Sequence, residues 1–145
     1  MIAVDASFLL AAVTSGGDLA GDNEALRLLN ELRSGDSPWA IPLFALVDFL
    51  RQASTGTAGR PAMASADALA FVHELVNTPQ CSLLMPGDDW HESLARLRAS
   101  APNDGGQEDT DVRVVALCTE HGVVELLSSD SAMQRFSEPR IHVVG

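Results

Sequence analysis

Four aspartates stand where a carboxylate calls for a reason: Asp5, Asp48, Asp111 and Asp130. Asp5 follows the apolar run Ile2 to Val4 and precedes ASFLLAAV, a helix-compatible segment, which places it at the end of a buried strand. A carboxylate buried there without partners costs several kcal/mol, so caps, a counter-charge or a metal must satisfy it. Asp130 follows the strand-like VVELLSS by the same logic, and Asp111 opens the apolar helix DVRVVALCTEH that leads to that strand. Asp48 lies six residues into the helix after a second short strand, on the face shared with Phe44 and Arg51 rather than on the leucine stripe. Acids that converge unpaired repel and raise one another's pKa, which a bound cation relieves. A set of oxygen donors without Cys or His selects Mg²⁺ or Mn²⁺ over Zn²⁺. Such a site orients and deprotonates a water and stabilises charge on a phosphorus centre, so the chemistry implied is metal-assisted phosphodiester hydrolysis.

Each acid also has a plainer reading. Asp5 suits the N-cap of the helix it precedes, where the dipole favours an anion. Asp111 has a similar alternative, with Asp109 or Thr110 able to cap instead and Glu108 solvated in the loop. Asp48 can pair with Arg51 at i,i+3, worth about 0.3 kcal/mol on a helix surface. Asp130 can start a turn, as the serines before it suggest. These four explanations are independent of one another, whereas one cation site accounts for all four positions together. The histidines supply no metal motif: His73 and His91 precede glutamates without forming HExxH, and His121 reads as a dipole-stabilised helix end. Arg96 and Arg98 suit a solvated helix face better than an RNA contact.

The elements that must position these acids follow from periodicity. Ile2 to Val4, Trp39 to Ile41, CSLLM, VVELL and IHVV read as short strands. Between them lie helices. EALRLLNELR is amphipathic and stops at Gly35; Pro42 opens a helix with Leu43, Leu46, Val47 and Leu50 as its buried stripe. Ser65 is the expected N-cap of DALAFVHELV, with Leu69, Val72 and Val76 on one face, and Asp88 and Asp89 open a helix bearing Trp90, Leu94 and Leu97. Glycines 16, 17 and 21, STGTAGRP and PNDGGQEDT mark loops, Gly122 closes the last long helix, and SSDSAMQRFSEPR holds a short helix. Single strands alternating with helices imply a parallel sheet, right-handed crossovers and helices on both faces, an α/β/α sandwich spanning residues 1–145 as one domain. In such a sheet ligands collect beyond the carboxyl ends of the strands, which is where Asp5 and Asp130 fall.

Composition narrows the partners. All nine basic residues are arginines, and twenty acidic residues bring the net charge to −11. Such a net charge works against bulk attraction to nucleic acid, and a phosphodiester substrate needs a metal, a few placed arginines or a basic partner to neutralise it locally. The two cysteines, Cys81 and Cys118, show no metal-ligand spacing and read as reduced, buried thiols. No basic leader and no apolar run near the ~20 residues of a bilayer span is present, so a soluble cytoplasmic protein without a membrane partner is expected. The absence of lysine removes a receiver-type phosphotransfer domain, Ser7 stands where a haloacid-dehalogenase-like phosphatase needs its second aspartate, and neither GxxxxGK[ST] nor GxGxxG occurs.

MIAVDASFLL resembles the opening of PIN-domain ribonucleases, and DVRVVALCTEHGVVELLSSDSAMQRF resembles their stretch of aspartate, apolar helix, Glu-His-Gly, strand and Thr/Ser-x-Asp. The pattern is most similar to the VapC toxins of bacterial toxin–antitoxin pairs. The resemblance implies a central five-stranded parallel sheet flanked by helices. It also implies Mg²⁺- or Mn²⁺-dependent endoribonuclease activity, a homodimer, and inhibition by a small cognate antitoxin. The family's first aspartate falls on Asp5, its helix-opening aspartate on Asp111 and its post-strand aspartate on Asp130. Two departures stand out: the second-helix acid is usually glutamate where this chain offers Asp48, and the further acid sometimes found two residues after the post-strand aspartate is replaced by Ala132. They keep open a second reading, a catalytically silent PIN-like binding module.

Overall fold

The apolar trio Ile2–Val4 forms β1 at the centre of a five-stranded, wholly parallel sheet of order β3-β2-β1-β4-β5. The computed structural model describes residues 1–13, 23–56, 60–100 and 106–145, and at 100 and 106–109 it describes the backbone. The glycine loop expected at 16–21, the middle of STGTAGRP and the start of PNDGGQEDT lie outside the described residues. From β1 the chain runs outward through α1 (Ala6–Val13), α2 (Glu24–Ser34), β2 (Trp39–Pro42), α3 (Leu43–Thr55), α4 (Ser65–Val76) and β3 (Cys81–Leu84). It then returns through α5 (Trp90–Ser100) and α6 (Gly106–Glu120) to β4 (Glu125–Ser128) on the other side of β1. A 3-10 turn, Ser131–Arg135, leads to β5 (Arg140–Val143) at the far edge.

All four residues of β2 are buried, on both faces of the strand, which requires helices on both sides of the sheet. Their core includes Val4, Phe8, Leu9, Trp39, Ile41, Phe49, Leu117 and Leu126. The strand order reverses beside β1, so the crevice expected of such a sheet opens beyond the carboxyl ends of β1 and β4. Register brings them level: Val4 pairs with Leu127, and the Asp5 amide donates to the Leu127 carbonyl at 3.1 Å.

Several expectations need correction. α6 starts at Gly106, so Asp111 sits more than a turn inside it instead of opening it. Gln107 and Glu108 are good helix formers by residue type, which lets the helix extend upstream of Asp111. On α3, Val47 is 54% exposed while Asp48 is only 7% exposed, the reverse of the expected faces. The buried stripe is Ala45, Leu46, Phe49 and Ala53, and Asp48 lies at its margin, turned toward the crevice mouth. Ala64, not Ser65, holds the N-cap of α4, with no side-chain hydrogen bond, and Leu69 faces outward beside a buried Ala68, Val72 and Leu75. Cys81 is half-buried on edge strand β3, whereas Cys118 is buried as expected, and both are free. Gly122 closes α6 as read: at φ 70° it lets Val123 donate to Cys118 and Gly122 to Thr119, a Schellman ending that turns the chain into β4.

Candidate functional site

A strand that ends in a buried carboxylate must find donors for it at once. Asp5 Oδ1 accepts the Phe8 amide at 2.9 Å and the Ser7 hydroxyl at 2.7 Å, so the cap reading holds. Asp130 caps the 3-10 turn in the same way, accepting the Ala132 amide at 3.0 Å. The two turns are stitched together by serines. Ser7 Oγ lies 3.1 Å from Ser128 Oγ and accepts the Ser129 amide at 2.9 Å, while Ser128 Oγ accepts the Asp130 amide at 3.1 Å.

The helix-borne acids are held by long side chains. Asp48 accepts from Arg51 at 2.6 Å and from Gln52 at 2.8 Å, so the expected i,i+3 pair is present. Asp111 lies 3.3 Å from Arg135, and Asp111 is 13% exposed. All four acids line one cleft of about 150 Å³, together with Ala6, Ser7, Gln52, Val114 and Met133. They come from a strand end, a helix after β2, the interior of α6 and the turn after β4. Capping or pairing accounts for each acid singly, yet it does not account for their meeting in one cleft.

Electrostatics single out Asp5. Burial raises its pKa from 3.8 to about 6; hydrogen bonds from Ser128, Phe8 and Ser7 oppose the rise, and the charge of Asp111 adds to it. The cleft thus holds a carboxyl that ionises at a cost unless positive charge arrives. Its polar donors, carboxylate, amide and hydroxyl oxygens without thiol or imidazole, fit a hard divalent cation. Among the described residues, however, no group of three or more acids, histidines or cysteines stands within ligating distance of a common point. Two of the acids are instead held by guanidinium groups.

Ser7 and Ser128 escaped notice as site residues, although the sequence carried a signal: each stands two residues from an acid, in D-x-S and S-x-D. Gln52, at i,i+4 from Asp48, carried the same helix-spacing signal as Arg51, whereas Arg135, 24 residues from Asp111, carried none. The remaining candidates fall elsewhere. His121 Nε2 lies 2.8 Å from the Met85 carbonyl at the end of α6, and Glu120 accepts the Gly87 amide at 2.7 Å, so Glu-His clamps the loop after β3. Arg96 and Arg98 are exposed on α5, and neither lines the cleft.

No protein-family model matches the chain, and no curated protein matches it in sequence. Solved structures do match it. VapBC2 from Rickettsia felis, bound to a DNA fragment from their promoter, superposes with a TM-score of 0.68 at 11% identity, covering 99% of this chain and 98% of that one. VapBC-1 from nontypeable Haemophilus influenzae gives 0.65 at 10% identity, again covering 99% and 98%. Mycobacterium tuberculosis VapC20, a sarcin–ricin loop cleaving toxin, gives 0.60 at 18% identity, covering 92% and 93%. The chain has the PIN-like α/β fold of these toxins along essentially its whole length.

Proposed function

We propose that the cleft is the active site of an Mg²⁺- or Mn²⁺-dependent endoribonuclease that serves as the toxin of a toxin–antitoxin pair. The observation that carries this reading is the meeting of Asp5, Asp48, Asp111 and Asp130, from four separate elements, at the switch point of a VapC-like sheet. Solitary roles explain each acid but not their shared address.

Asp5 would be the central ligand, since its ionisation is the most penalised and a cation relieves that penalty most. Asp48, Asp111 and Asp130 would complete the set from the cleft walls. A bound divalent ion supplies Lewis acidity to a phosphoryl oxygen and lowers the pKa of water. The chain's own residues do the rest. Ser7 and Ser128 lock the turns that carry Asp5 and Asp130, so the two acids keep their spacing while substrate enters. Arg51, with its side chain 62% exposed, stands beside Asp48 as a local cation for an incoming phosphate, which a chain of net charge −11 otherwise lacks. The same negative charge favours a small, basic antitoxin whose arginines enter the cleft, so inhibition and charge complementarity share one cause. A homodimer belongs to the same reading, by likeness to the family.

The rival, a silent binding module, draws support from Asp48 in place of glutamate, from Ala132, and from the spread of the acids beyond ligating distance among the described residues. One pair of measurements separates the two. Millimolar Mn²⁺ should raise the unfolding midpoint of the chain, and the loaded protein should cleave single-stranded RNA at positions mapped by sequencing the new 5′ ends. An unchanged midpoint and intact RNA would sink the nuclease reading.

A further inference from the structure

Asp111, like Asp48, is placed inside a helix, but its partner Arg135, unlike Arg51 and Gln52 beside Asp48, comes from a different element. It rides inside α6, where backbone amides are spent on carbonyls one turn back, so it does not cap the start of a turn as Asp5 and Asp130 do. One of its partners is Arg135, Nη2 of which lies 3.3 Å from Asp111 Oδ2. That guanidinium is itself pinned. Nη1 donates to the Ala132 carbonyl at 2.8 Å, and the central carbon lies 4.4 Å from the centroid of the Phe136 ring, a ring only 5% exposed. With its side chain 26% exposed, Arg135 is more enclosed than Arg51, whose side chain is 62% exposed. Both anchors of Arg135 belong to the segment that Asp130 caps, so one 3-10 turn places one acid directly and a second through an arginine.

We propose that Arg135 is a positioning residue for Asp111. Its planar fork spans the turn's carbonyl and the carboxylate at once, and so fixes the rotamer in which Asp111 faces the cleft while leaving lone pairs for a cation. The proposal rests on the reading of the cleft as a divalent-cation site and adds a residue that does not itself line it. Partners that orient a ligand typically change metal affinity 10–100-fold when removed, without touching the ion. A second effect runs the other way: a guanidinium near the site repels a cation. Partly buried charges are screened little, so this repulsion is set against the orienting effect, and the sign of the change in Mn²⁺ affinity on removing Arg135 decides between them.

Mn²⁺ titration by calorimetry on the wild-type chain, Arg135→Ala and Arg135→Lys tests this. Arg135→Ala should weaken Mn²⁺ binding on the order of tenfold. Arg135→Lys should fall between it and wild type, because a lysine keeps the charge and loses the fork. The unfolding midpoint of each metal-free variant identifies a purely structural role, which would move that midpoint while leaving the Mn²⁺ constant alone. Wild-type or tighter Mn²⁺ binding by folded Arg135→Ala overturns the proposal by itself. Absence of Mn²⁺ binding by the wild-type chain overturns the reading of the cleft and the proposal with it.

Discussion

The strand-end acids and the helix-borne acids reach the same cleft by different means. Asp5 and Asp130 are held by backbone amides and by the Ser7–Ser128 link, over a few residues of chain on either side. Asp48 and Asp111 are held by arginines at the ends of long side chains. An amide in a tight turn leaves no choice of geometry, whereas a guanidinium on a flexible stem can hold a carboxylate in the metal-free chain and share it afterwards. The difference gives the cleft a floor fixed by backbone, a wall at Asp111 held through the pinned Arg135, and a more adjustable wall at Asp48 beside the exposed Arg51.

The sharpest break of this comparison is Asp5→Asn. Loss of the central anionic ligand should lower RNA cleavage by a factor on the order of 10²–10³ and abolish the Mn²⁺ shift in midpoint. The same variant should make the metal-free chain more stable, because the asparagine still caps the helix and no buried charge remains. A less stable, still active variant would remove Asp5 from the floor. Cleavage assays and thermal unfolding, side by side, give both answers.

The pH dependence probes the same floor in the wild-type chain. Asp5 ionises at about 6 in the fold and at 3.8 in the reference state. Between those values the folded chain binds the extra proton, so this group contributes stability at low pH that is lost as pH rises from about 4 through 6. The loss approaches roughly 3 kcal/mol above pH 7. Metal-free chain should therefore show its midpoint falling across that window, and saturating Mn²⁺ should flatten or invert the trend. Urea melts at a series of pH values with chelator or with Mn²⁺ measure it, and a rising metal-free midpoint contributed by this carboxyl would contradict the burial argument.

At the walls, Asp48→Asn should remove most cleavage while leaving the fold intact, because an amide keeps the shape and loses the anion. Asp48→Glu should keep or raise activity by restoring the longer reach usual in the resembling family. Were Asp48 only a partner of Arg51, both changes would be nearly silent in cleavage of single-stranded RNA. The smallest effect is expected at Arg51: with its side chain 62% exposed, Arg51→Ala should cost less than about 1 kcal/mol in a denaturant melt. Its Mn²⁺ affinity should stay near wild type, in contrast to Arg135→Ala. Equal losses at the two arginines would erase the distinction between a pinned and a releasable guanidinium.

Much of the fold was legible because burial leaves periodic marks. β1, α1, α2, the ends at Gly35 and Gly122 and the four later strands fall, to within two residues, where apolar spacing and turn residues put them. The misread helix faces share one cause. Val47 and Leu69 are apolar yet exposed, and Asp48 is charged yet buried, because which side of a helix faces the core depends on neighbours that periodicity does not name. The start of α6 was missed because a polar helix end and a polar loop look alike in composition.

The sequence by itself determined the alternation of strands and helices, and with it a parallel sheet and the two acids that its strands must carry to their carboxyl ends. This follows because hydrophobic period and chain direction are local properties. Only the tertiary structure decided that Asp48 and Asp111 turn into the same cleft, that Ser7 meets Ser128 across 121 residues, and that Arg135 stands behind Asp111. Those meetings depend on register and on the crossing of β4 back beside β1, and contacts between residues so distant in sequence leave no local pattern to read.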